Sequence, residues 1–197
     1  MGTLSYTAIM SIDGYAADAD GDFQWAAPGD DVFRFHVDRL DAVSTEVLGR
    51  RTYELMRYWE TDPDDGSWSD DEHEFARRWR GLDLVVASST LAARGDASHR
   101  ARVVGDLSLS ALHDIVDESR GEVEIFGPTT AAAAIRAGVV SDYRLVIVPK
   151  VVGGGLRAIP DGARLDLQLA QRRAFENGTV LLHYRSADAS SAWPEAS

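Results

Sequence analysis

Two stretches set glycine and hydroxyl residues where an apolar run gives way to a helical pattern. They are Gly49-Arg50-Arg51-Thr52, after "STEVLG", and Gly127-Pro128-Thr129-Thr130, after "VEIF". The first amides of a helix have no partner in the chain and point at whatever lies before them, which suits an anion. Arg50 and Arg51 add two guanidiniums and Thr52 a hydroxyl, a set that fits phosphate, although an arginine pair at a helix start is also ordinary surface chemistry. Gly127-Pro128 can equally be a tight turn with a cap. Neither stretch is a GxGxxG fingerprint, and neither has the lysine of a phosphate loop. The signal lies in having two such junctions.

Other chemistries find little support. No G-x-S-x-G marks a nucleophilic serine, and the chain has no cysteine. His36, His73, His99, His113 and His183 show no ligand spacing, so no metal is expected. Glu60 to Glu74 holds eight acidic residues and no Lys or Arg. Asp62 and Asp64 match the opening of a calcium loop, but Gly66 and His73 stand where ligands belong, so the segment reads as a solvated loop.

The elements around the two junctions alternate. Tyr6–Ile12, Asp41–Gly49, Leu82–Ser88, Val123–Phe126, Tyr143–Val152 and Gly178–Arg185 read as strands. Asp31–Leu40, Arg51–Trp59, Leu107–Ser119 and Thr129–Ala137 read as helices, with Gly29 or Asp30 starting the first. The pattern predicts an α/β fold, a mostly parallel central sheet with helices on both faces. Ligands of such sheets sit at the carboxyl ends of the strands, where Asp13-Gly14, Gly49-Arg50, Ser88-Ser89 and Gly127-Pro128 would converge.

Length and charge narrow the partners. The 197 residues suit one core, expected as a single domain over 1–186 with an unstructured tail at 187–197. A net charge of −12 without a basic patch argues against nucleic acid. No apolar run is long enough to span a membrane, and Met1-Gly2-Thr3-Leu4-Ser5 is no signal peptide, so a cytoplasmic location is expected.

The blocks "MSIDGYAADADGDFQW", "VLGRRTYELM", "YWETDP", "SSTL", "GPTTAAAAIRAGVVSDYRLVIVPKVVGGG" and "GTVLLHYR", in this order over about Ser5 to Arg185, resemble the dihydrofolate-reductase-like family. That family includes the reductase domain of the bifunctional riboflavin-biosynthesis deaminase-reductase. The resemblance implies an NADPH-dependent reductase acting on a heterocyclic small molecule, pterin- or pyrimidine-like, at a C=N or C=O bond. By similarity Arg50 and Arg51 reach the adenosine 2′-phosphate, Gly49 and Thr52 the pyrophosphate, and Ser88 and Ser89 the adenosine ribose. Phe126, Gly127, Pro128, Thr129 and Thr130 seat the pyrophosphate and nicotinamide ribose. Asp13, Gly14 and Tyr15 line the nicotinamide. Trp25, Pro28 and Asp30 match the tryptophan, proline and acidic residue of dihydrofolate reductase's substrate loop and helix. Asp30 is then either the substrate's carboxylate or a helix cap, with Asp31 competing for the first role, and Trp25 is either a loop anchor or a lid. Relatives carry Gly-Gly where this chain has Phe126-Gly127, which predicts a phenyl ring crowding the cofactor seat. The rival cofactors are NADH and a deazaflavin, and the rival function is a non-catalytic binding protein on the same fold. Relatives of this kind are commonly homodimers.

Overall fold

Apolar runs bounded by glycine and polar breaks become the strands of one sheet. The computed structural model describes residues 2–94, 97–187 and 193. The first half of the chain contains β1 (Thr3–Ser11), β2 (Tyr15–Ala17), α1 (Asp30–Arg39), β3 (Val43–Gly49), α2 (Arg50–Met56), α3 (Asp70–Trp79) and β4 (Asp83–Ala87). The second half contains α4 (Ser89–Arg94), β5 (Ala101–Val104), α5 (Leu109–Glu118), β6 (Glu122–Phe126) and α6 (Pro128–Ala137). It ends with β7 (Asp142–Val148), β8 (Leu156–Arg157), β9 (Leu167–Ala174) and β10 (Val180–Ser186). Short 3-10 turns lie at Gln24–Ala26 and Arg57–Glu60.

Eight strands pair in the order β5-β4-β3-β6-β1-β7-β10-β9, and β2 pairs with β8 apart from them. The first six are parallel, and β10 and β9 close the sheet antiparallel. Alternation along each strand decides which helix layer a residue meets. Leu4, Tyr6 and Ala8 of β1, Val47 of β3 and Val123 and Ile125 of β6 pack with α5 and α6. The intervening residues face the other layer: Leu84 packs with Val37, Phe75 and Trp79, and Leu48 and Val86 with Tyr53 and Leu91. Helices therefore cover both faces, as the alternation predicts. Among the described residues no helix is long and apolar enough to cross a membrane.

Three expectations are revised. The acidic segment does not stay a loop to Glu74, because α3 starts at Asp70. Ser69 Oγ accepts from Glu72 N while Glu72 Oε2 accepts from Ser69 N at 2.7 Å, a reciprocal cap, and three acidic residues fill the helix's first turn. The strand expected to reach Val152 stops at Val148, ahead of Pro149, which has no N–H to give a ladder. Strands β5 and β9 were not expected, since neither shows a sustained apolar alternation. Of the segment expected to lack structure, Ala187 and Trp193 are described, and the rest of 187–197 lies outside the described residues. The Trp193 ring lies 4.8 Å from that of His113.

Candidate active site

The parallel register brings the glycine-bearing breaks to one edge. Leu48 is the ladder partner of Phe126, so Gly49 and Gly127 leave adjacent strands side by side. Each glycine meets the threonine three residues beyond the other. A Cβ on Gly49 would stand 2.4 Å from Thr130 Oγ1, and a Cβ on Gly127 3.1 Å from Thr52 Oγ1. Gly127 also has φ +110°, a conformation that side chains rarely accept. The result is a cradle of two helix starts, with Pro128 at the first position of α6. Thr129 and Thr130 fall in the first turn, where helix amides lack an internal partner. Arg50 and Arg51 are exposed beside it. Arg50 only approaches Glu54, at 3.9 Å, and Arg51 has no ion pair among the described residues.

The turn after β1 is braced against the segment after β7. Asp13 accepts from the amides of Val152 and Gly153, at 3.2 and 2.7 Å. A hydrogen bond with Ser11 and those two amides hold its carboxyl below the usual carboxylate range. Its oxygens are committed to positioning the turn. Ser11 Oγ accepts from Tyr15 N, and Gly14, at φ +90°, accepts from Ala158 N. Tyr15 then pairs across β2–β8 with Arg157, whose guanidinium lies 5.3 Å from the Tyr15 ring centre. Tyr15, Pro128, Thr129, Arg136 and Arg157 line an open cavity of about 590 Å³.

The other expected residues do not line this cavity, although Ser88 follows Ala87, the ladder partner of Gly49. Ser88 Oγ accepts from Leu91 N and so caps α4, while the neighbouring Ser89 is exposed. Trp25 turns its indole N–H back to Asp22 O at 2.9 Å, the geometry of a loop anchor. Asp30 is exposed as the first residue of α1, and Gly29 takes the cap position. Asp31 is the engaged carboxylate, accepting from Val32 N and, across the fold, from Glu176 N at 3.0 Å.

Phe126 does not fill the cradle. Its side chain takes the opposite face of the sheet from Ile125 and walls a second cavity of about 140 Å³, with Ile9, Pro28, Phe33, Trp59 and Phe75. The crowding expected of this ring is thus directed away from the two glycines. Polar residues that the sequence reading passed over line the same cavity: His36, Arg39 and Glu46. Glu46 and Glu124 are ladder partners on β3 and β6, both fully buried. Arg39 pairs with Glu124, and Thr7 Oγ1 donates to Glu124 Oε1 at 2.5 Å. Trp79 Nε1 donates to Glu46 Oε2 at 2.7 Å. Two carboxylates thus share one guanidinium. Burial first, and repulsion from Glu124 second, push the Glu46 carboxyl up to about 7, against the pull of Arg39 and Trp79. Burial, with Arg39 beside it, pushes His36 down to about 3. The readable signal was a glutamate in the middle of each of two apolar strands, in "STEVLG" and "EVEIF".

Comparisons with known proteins agree with this architecture. The family model of the RibD C-terminal domain matches residues 3–181. A putative riboflavin biosynthesis protein from Shewanella sp. PV-4 is similar in structure, with TM-score 0.69 and 18% identity over 93% of this chain and 98% of the other. The Thermotoga maritima diaminohydroxyphosphoribosylaminopyrimidine deaminase/5-amino-6-(5-phosphoribosylamino)uracil reductase gives TM-score 0.67 at 14% identity, over 94% of this chain and 57% of that one. Enterococcus faecalis dihydrofolate reductase, solved with NADP(H) and RAB-propyl, gives 0.63 at 15%, over 95% and 98%. At these identities the likeness shows the fold. A search of curated proteins finds no match.

Proposed function

We propose, from the premise that this chain belongs to the RibD C-terminal domain family, that it is an NADPH-dependent reductase of a nitrogen heterocycle. The observation that carries the reading is the reciprocal cradle of Gly49 with Thr130 and Gly127 with Thr52. Two helix starts without side chains at their mouths let a pyrophosphate approach the backbone and meet amides rather than carbons. Gly49, Thr52, Gly127, Pro128, Thr129 and Thr130 would hold that group. Arg50 and Arg51, exposed and free of close ion pairs, would take the 2′-phosphate. Ser89 is better available to the adenosine ribose than Ser88, whose hydroxyl caps α4. Gly14 and Tyr15, in a turn that Asp13 fixes, would border the nicotinamide. When bound, the reduced nicotinamide supplies a hydride. The chain's own part is to hold the phosphates and to keep the ring beside an apolar cavity walled by Phe126. Asp30 and Trp25 would act only at the mouth of the site.

The test is a fluorescence titration of the purified protein with NADPH and with NADH. NADPH should bind markedly tighter, and replacing Arg50 and Arg51 together by alanine should weaken NADPH by at least about tenfold while changing NADH little. Equal losses for both cofactors would remove the 2′-phosphate assignment. No binding of either by the folded protein would remove the reductase reading. Exposed Ile12 and Val151 offer apolar surface for a homodimer, which a monomer mass in light scattering at micromolar concentration would rule out.

A further inference from the structure

The open cavity beside Tyr15 carries the opposite charge to the chain around it. The protein has a net charge of −12, yet the charged side chains lining this cavity are Arg136, Arg157 and a single carboxylate, Asp161. Arg136 extends from the last turn of α6 and Arg157 from β8, and both side chains are exposed. Asp161 tethers the two. Arg136 Nε donates to Asp161 O at 3.0 Å, and Arg157 Nε lies 3.2 Å from Asp161 Oδ1. Each guanidinium is thus held through Nε, and its Nη groups form no hydrogen bond among the described residues. The Tyr15 ring, 5.3 Å from the Arg157 guanidinium, keeps that side chain at the cavity wall.

This cavity is separate from the glycine-threonine cradle. None of Gly49, Thr52, Gly127 and Thr130 lines it, and the two adjoin at the start of α6, where Pro128 and Thr129 enter the cavity wall. Its volume of about 590 Å³ falls within the roughly 300–1,000 Å³ of small-molecule sites and leaves room for far more than one bare anion. Its walls are divided. Pro128, Ala132, Leu156 and Pro160 are apolar, and the two guanidiniums stand together with Asp161.

We propose that this groove binds a small organic phosphate monoester, separate from the nicotinamide cofactor. The free Nη groups of Arg136 and Arg157 take the terminal phosphate oxygens, and the exposed Thr129 hydroxyl is a third donor on the same wall. The organic body lies along Pro128, Ala132 and Leu156 toward Tyr15. A carboxylate would offer one charge and two oxygens to two guanidiniums. A phosphate monoester brings three terminal oxygens and nearly two charges at neutral pH, which matches the pair. The inference goes beyond the reductase reading and does not depend on it, although Tyr15 is common to both.

The experiment uses the full chain without nicotinamide, in isothermal titration calorimetry and ¹H–¹⁵N NMR at fixed ionic strength. The probes are phenyl phosphate, inorganic phosphate and phenol. Phenyl phosphate should shift the amide resonances of Tyr15 and Ala132. It should bind at least about tenfold tighter than inorganic phosphate, which lacks the apolar body, and than phenol, which lacks the charge. Phosphate could also enter the cradle, so two double variants separate the sites. Arg136→Gln with Arg157→Gln should weaken phenyl phosphate at least about tenfold and leave NADPH within about twofold of wild type. Arg50→Ala with Arg51→Ala should leave phenyl phosphate within about twofold. Arg136→Gln alone, which gives up only the bond to a carbonyl, serves where the double variant fails to fold. Failure of phenyl phosphate to bind, equal binding of inorganic phosphate, or a loss that follows Arg50 and Arg51 in place of Arg136 and Arg157 would overturn the proposal. Phenyl phosphate binding by a protein that ignores NADPH would sink the reductase reading and keep the groove, and the reverse result would do the opposite.

Discussion

The two glycines of the cradle can be separated from their threonines by a double-mutant cycle. Gly49 has φ −77° and ψ 162°, a backbone that any residue adopts, so only space excludes a side chain there. The methyl of Gly49→Ala would stand 2.4 Å from Thr130 Oγ1; with that oxygen removed, the next contact is Thr130 Cβ at 3.8 Å, ordinary van der Waals distance. Overpacking of this kind costs about 1–3 kcal/mol. The lost freedom of the unfolded chain returns about 0.4–1 kcal/mol, leaving G49A roughly 1–2 kcal/mol less stable than wild type. Thr130→Ala should cost less than about 1 kcal/mol. The double variant G49A/T130A should then be about as stable as T130A alone, a favourable coupling of roughly 1–2 kcal/mol. Urea unfolding followed by tryptophan fluorescence measures all four proteins, with unchanged m-values as the check on two-state behaviour. A double variant as unstable as the sum of the singles would refute the steric argument. NADPH titration of the same set adds a second readout. If Gly49 serves the approach of a cofactor, affinity should stay low in the double variant although stability recovers.

Three further outcomes follow from the buried cluster and the start of α1. The Glu46 carboxyl is raised from 4.5 to about 7, so its favourable contribution is complete below about 4.5 and lost as pH climbs through 7. Glu46→Gln, which cannot ionise, should therefore gain on wild type by roughly 2–3 kcal/mol between pH 5 and pH 8 in urea melts, and parallel curves would show that the carboxyl titrates normally. His36 acts with the opposite sign: its contribution is full above 6.5 and lost as pH falls toward 3, so His36→Asn should flatten the acid limb of the stability curve. Asp31→Ala removes the acceptor of Val32 N and Glu176 N and should cost about 1 kcal/mol. Asp30→Ala should change stability by less than about 0.5 kcal/mol, and equal losses would show that the two carboxylates are not divided as described.

The alternation of strand and helix was legible because buried parallel strands are apolar throughout and their ends are marked by glycine, proline or aspartate. What escaped was local and polar. The start of α3 is written as Ser69-x-x-Glu72, a cap that charge density disguised as loop. Strand β9 is largely exposed and pairs with one neighbour, so its sequence alternates only at Leu167-Gln168-Leu169 before turning polar. Only its partner β10 makes "LQLAQRRA" a strand.

The site divides in the same way. Each glycine-threonine junction is visible by itself, but that Gly49 answers to Thr130 and Gly127 to Thr52 depends on β3 and β6 being neighbours, which no local pattern states. The buried cluster is different, because its anomaly is local. A glutamate inside an apolar parallel strand must find a partner or keep its proton, since an isolated buried charge is too costly to hold. Two such glutamates, Glu46 and Glu124, meet across one ladder with a single arginine from α1 to share. Arg39 goes to Glu124, which already accepts from Thr7, so Glu46 is the carboxyl that burial and this neighbour push up, and its second oxygen has no partner among the described residues. A core built for stability alone could have placed valine at both positions. Here instead Glu46 and His36 each keep a polar atom without a partner among the described residues, and Phe126 walls the cavity that both residues line.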